Sequence, residues 1–152
     1  RAGLSPEGLT EWQQRVAWSY YIENDDANAL RVAREAARGV GAWAMRAAWV
    51  EGLASWRMED FRSADDAFFR VGYMADDPEM RAAGHYWAGR TATKLREKKQ
   101  AQERFRAAMH DAETFYGMLA AELLDETPIL PRHEAGADFR ILIQQPNIRR
   151  AQ

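Results

Sequence analysis

Cysteine is missing from this 152-residue chain, which excludes disulfides and thiolate metal sites without choosing a compartment. Charge of one sign is missing too. The 21 Lys and Arg against 23 Asp and Glu leave a net charge of −2, which argues against an electrostatic nucleic-acid binder. No apolar run approaches the ~18 residues that a transmembrane helix needs. No stretch alternates apolar and polar residues with period two for long enough to make a strand. A phosphate-cradling glycine loop, a nucleotide motif and a Ser/His/Asp order are all absent. The three histidines, His85, His110 and His133, lie on different elements, and none has a second ligand four residues on. Neither a metal site nor any cofactor is therefore expected.

What the chain does have is helical periodicity. Hydrophobic residues make up 47%, enough for one ordinary core, and six tryptophans must be placed in it. Ser5-Pro6-Glu7 is a helix start, with a hydroxyl cap, proline in the first turn and an acid at the positive dipole end. Leu9, Trp12, Val16 and Tyr20 then fall on one stripe. Asn24-Asp25-Asp26 ends this helix and caps a second, whose face of Ala29, Val32, Ala33, Ala36 and Ala37 stops at Gly39 and Gly41.

A third helix, about 42–58, contributes Trp49, Leu53 and Trp56, and a fourth, about 59–74, contributes Phe61, Ala64, Phe68 and Val71. Asp76-Asp77-Pro78-Glu79 is the strongest punctuation and opens a fifth helix with Met80, Ala83, Trp87, Ala88, Thr91 and Leu95 on one face. The sixth carries Ala101, Phe105, Ala108 and Met109. Asp111 is the expected cap of the seventh, with Phe115, Leu119 and Leu123 inward. The expectation is an all-α domain over residues 1–126. Residues 127–152 then form a proline-containing connection, a short helix at about 138–144, and the start of another helix at Asn147. With no Met at the start and a helix begun so near Gln152, the expectation is a piece of a longer chain.

Two helix pairs repeat. Gly52, Ala64 and Phe68 reappear as Gly89, Ala101 and Phe105 after 37 residues, and Trp49 falls on Tyr86. A small residue in one helix with Ala and Phe four apart in the next is the packing pattern of tetratricopeptide-like pairs, whose usual period is about 34 residues. Stacked pairs of this kind give a solenoid, or superhelix, of antiparallel helices with one concave face. On the residues alone, this reads as a protein-interaction module that holds a partner's peptide on that face.

The HYWAGR stretch (residues 85–90) and TFYGMLAAELL (residues 114–124), joined by the Ala/Phe helix, resemble the soluble lytic murein transglycosylases. The likeness covers about residues 79–124 and is to that family's helical, non-catalytic superhelix region. It implies an arc of paired helices in the bacterial periplasm that guides or restrains peptidoglycan glycan strands. In that family a separate lysozyme-like domain cleaves the strand to 1,6-anhydromuramyl products, using a Glu followed by Ser. This chain holds neither a Glu-Ser dipeptide nor the accompanying Gly-Leu-Met-Gln stretch. The resemblance therefore gives no catalytic residue a place here, and the chain by itself is expected to be non-catalytic.

Candidate glycan contacts are Tyr86, Trp87, Arg90 and Tyr116, since aromatic faces stack on sugar rings and Arg grips carboxylates bidentately. Residues at helical spacing also serve as interhelix core, and that is the simpler role for Trp87, Phe105 and Phe115. The adjacent acids Asp25-Asp26, Asp65-Asp66 and Asp76-Asp77 suit capping better than acid/base work, because neighbours on a helix do not face each other. Lys94, Arg96, Lys98 and Lys99 form a basic corner between two helices, open to solvent or to an anionic polymer.

Overall fold

The computed structural model describes residues 3–127 and residue 130. Among them are seven α-helices and no strand: α1 (Pro6–Ile22), α2 (Asp26–Ala36), α3 (Gly41–Arg57), α4 (Phe61–Met74), α5 (Pro78–Lys94), α6 (Lys98–Met109) and α7 (Phe115–Leu124). The expected short helix at 138–144 and the helix start at Asn147 lie outside the described residues.

Each helix packs on its neighbour in sequence, and α1 also meets α3, as α5 meets α7. Starts at residues 6, 41 and 78 open three helices of 17 residues each. Each of these runs into the next helix through the same three-residue turn. At its centre Asn24, Glu59 and Arg96 are left-handed, with φ of 62°, 59° and 61°. The following N–H groups of Asp25, Asp60 and Glu97 reach back to the carbonyls of Tyr20, Ser55 and Ala92, each at 2.9 Å. This is a Schellman closure, in which the turn satisfies carbonyls the helix end would otherwise leave open. A fourth long helix begins in register at Phe115 but ends after 10 residues, where Asp125 turns left-handed and the Glu126 N–H reaches the Ala121 carbonyl at 3.0 Å.

Packing inside the hairpins follows the repeat. A Cβ on Gly52 would lie 2.5 Å from the Phe68 ring, and one on Gly89 would lie 2.7 Å from the Phe105 ring. Each aromatic knob thus occupies the space a side chain on the facing helix would need. The first hairpin solves the same problem differently: with a 35-residue shift, Ala17, Ala29 and Ala33 take these three positions, all fully buried. Between the second and third hairpins the backbones themselves touch. A Cβ on Gly84 of α5 would collide with the Gly72 nitrogen of α4 and sit 2.8 Å from its Cα.

Caps fall largely where the sequence puts them. Ser5, Asp25 and Asp77 accept N–H groups of Gly8, Asn28 and Met80 at 3.1, 3.2 and 2.9 Å. The cap of α7 is different from the one expected. Thr114 Oγ1 accepts the Gly117 N–H at 3.0 Å, while Asp111 turns to Arg81. Two apolar stripes also differ. In α1 the inward residues are Thr10 and Ala17, whereas Leu9 and Trp12 face outward; in α7 Phe115 and Leu123 are exposed and Gly117, Ala120 and Ala121 are buried. Apolar residues lie on more than one side of α1, and α7 is apolar nearly all round, so periodicity alone does not say which side meets the core.

Candidate functional site

Three of the four candidate contacts, Tyr86, Arg90 and Tyr116, converge where α5 meets α7. Tyr86 and Tyr116 stack obliquely with ring centroids 5.1 Å apart, and Tyr86 also meets Phe105 at 5.7 Å and Trp87 at 6.2 Å. Only 7% of Tyr86 is exposed, so its ring serves the core and is not offered to a ligand. Its hydroxyl accepts a 3.3 Å bond from Arg90 Nη1. Arg90 is exposed, with its guanidinium 5.6 Å from the Trp87 ring centroid and 5.9 Å from that of Tyr86. Among the described residues it is in no ion pair, so its charge is free for an anion while the rings orient it. Half-buried Tyr116 and exposed Phe115, in edge contact at 5.1 Å, extend the shelf. Phe115 was expected inside and is the member that sequence reasoning placed wrongly.

Trp87 faces away from this shelf into a second aromatic group. It meets Trp56 edge-on at 5.3 Å and Phe68 at 5.8 Å, and Trp56 in turn meets Phe61 at 5.2 Å. The core role expected for Trp87 therefore dominates, and only part of it remains open beside Arg90.

A buried polar group on the other side was not legible as such. Asp65 of α4 pairs with Arg104 of α6 at 3.4 Å, both about nine-tenths buried, and the Arg104 guanidinium lies 4.0 Å from the Phe69 ring centroid. Burial pushes the Asp65 carboxyl above its usual range, with Arg104 opposing. A carboxyl held high is what a general acid needs. This one instead spends its contact on a guanidinium under an aromatic ring. Its role is to tie α4 to α6.

His85 sits nearby on α5, against Gly72, with Nδ1 buried and unpartnered. Burial, and then Arg104, hold it below the ordinary imidazole value of 6.5. The folded state therefore binds fewer protons here than the unfolded one, and stability falls as pH drops through about 6.5 and below. The raised Asp65 carboxyl works with the opposite sign and closer to the carboxylate range. Thermal melts at pH 7.5 and 5.5 should show a lower Tm at the acid value, and a His85→Gln variant should flatten the difference.

No group of three or more His, Asp or Glu side chains that could hold a metal is found among the described residues. No described helix is long and apolar enough to cross a membrane. Comparison of the chain with protein-family models, with curated proteins and with solved structures gives no match.

Proposed function

We propose that this chain is a helical support for a peptidoglycan-cleaving enzyme, the superhelix portion of a soluble lytic transglycosylase, and that it holds glycan without cutting it. On this reading the hairpins stack into a curved tetratricopeptide-like solenoid, and a catalytic domain elsewhere in the full protein breaks the bond. The reading rests on the resemblance over residues 79–124. The observation that carries it to a site is Arg90, a guanidinium in no ion pair among the described residues, set on the Tyr86–Trp87 edge beside the Tyr116–Phe115 shelf. A glycan bearing lactyl or peptide carboxylates offers a sugar face for the Tyr116–Phe115 shelf and an anion for the guanidinium. The periplasm is the compartment in which such a polymer is met.

The chain should sediment with purified peptidoglycan sacculi at low salt and less at high salt, since an exposed charge contact is screened. An Arg90→Ala variant should lose most of the bound fraction while its Tm stays within a few degrees. Equal sedimentation of the variant would remove Arg90 from the proposal.

The alternative is a tetratricopeptide-like module whose partner is a protein. The threefold recurrence of one hairpin turn favours this class as much as the first. Failure to sediment with sacculi, together with capture of a peptide, would select it.

A further inference from the structure

Where the 37-residue repeat loses the aromatic residues of the second hairpin, the described residues leave an open groove. In the second hairpin, Trp56, Phe61 and Phe68, together with Trp87 from α5, close the space between helices with rings 5.2 to 5.8 Å apart. Moved on by 37 residues, these positions are Thr93, Lys98, Phe105 and Leu124. Two indoles and a phenyl ring have become a threonine, a leucine and a lysine, and only Phe105 keeps its aromatic ring. All four residues line an open groove of about 610 Å³ between α6 and the end of α7, with Ala101 buried beneath it. The groove is thus the volume that aromatic side chains fill one repeat earlier. Its rim carries Arg96 and Lys98, neither of which is in an ion pair among the described residues. Arg106, by contrast, is neutralised by Glu126 at 3.4 Å.

We propose that this groove is a docking site for a protein segment presenting an aromatic side chain next to acidic residues. The ring would take the place that Trp56 and Phe61 fill in the preceding hairpin, against Ala101, Phe105 and Leu124. The flanking carboxylates would meet Arg96 and Lys98. An aromatic anchor in an apolar pocket with charge at the rim is the arrangement that concentrates binding energy in a few residues. The site lies on different residues from Arg90 and its shelf, and the inference stands whether or not the glycan reading does.

The test uses the full 152-residue chain and three fluorescein-labelled pentapeptides: Gly-Asp-Trp-Asp-Gly, the same with Ala for Trp, and the same with Lys for both Asp. Fluorescence anisotropy should show the first binding about tenfold tighter or more than either control. Thr93→Trp with Lys98→Phe restores the side chains of the preceding repeat. It should abolish binding of the acidic peptide while leaving the Tm equal or higher. Arg96→Glu with Lys98→Glu changes only exposed side chains and should reverse the preference toward the lysine peptide. The proposal is overturned if the full chain binds none of the three, whether the groove is then taken by residues after Leu130 or by a second copy. It is equally overturned if a folded, pocket-filled variant binds as the parent does.

Discussion

Phe68→Ala is expected to cost about 3–5 kcal/mol of folding stability, the range for emptying a buried aromatic site. Phe68 is fully buried and packs on Trp49 at 5.3 Å, on Trp87 at 5.8 Å and on the flat backbone of Gly52. Its loss opens a cavity bounded by three helices that are themselves fixed by hairpin turns, so little collapse can refill it. The first hairpin shows what the chain does without that ring. There alanine stands at both the glycine and the phenylalanine positions, as Ala17 and Ala33.

Gly52→Ala should therefore change sign with its background. Alone it drives a methyl group into the Phe68 ring and destabilises. On Phe68→Ala it fills part of the vacated space and gains up to about 1 kcal/mol of helix propensity. Urea denaturation of the four chains in this cycle measures the coupling. Additive behaviour would mean that residues 52 and 68 do not pack as knob and hole.

Gly84→Val is expected to cost about 3 kcal/mol or more, because the atoms it meets cannot rotate away. The obstacle is the Gly72 backbone, whose nitrogen and Cα lie where the new Cβ must go. Even Gly84→Ala should destabilise, although alanine in a helix interior is ordinarily favoured over glycine by about 1 kcal/mol. The check is the midpoint of chemical unfolding. A gain in stability from Gly84→Ala would show that α4 and α5 stand further apart than described.

The glycine-to-phenylalanine spacing in the sequence already carried the hairpin architecture, because Gly52–Phe68 and Gly89–Phe105 are short-range pairs that leave a periodic trace. The Schellman turns left a fainter one. Asn24 is a known left-handed residue, but Glu59 and Arg96 give no such signal, and their common conformation appears only in the backbone. The terminal helices were misread for a physical reason. α7 is apolar on nearly every side, and α1 carries apolar residues on more than one face among its Glu, Gln and Arg, so each offers two possible inward faces. Small residues such as Ala17, Gly117 and Ala121 take the contact, leaving Trp12 and Phe115 outside.

At the candidate site, the structure sets Tyr86, Arg90 and Tyr116 side by side, and sequence spacing could not distinguish the buried ring from the exposed guanidinium. Asp65 and Arg104, 39 residues apart, were beyond any local pattern. A carboxylate on α4 and an arginine on α6, with α5 between them in sequence, become partners only once the helices pack.

The central claim is that this chain grips glycan and leaves it whole, and one incubation tests it most directly. The purified chain is mixed with sacculi, the pellet is assayed for bound protein, and the supernatant is analysed by mass spectrometry for 1,6-anhydromuropeptides. The expected result is protein in the pellet and anhydro products no higher than in a protein-free blank. Products above that blank, or a pellet without protein, would contradict the account.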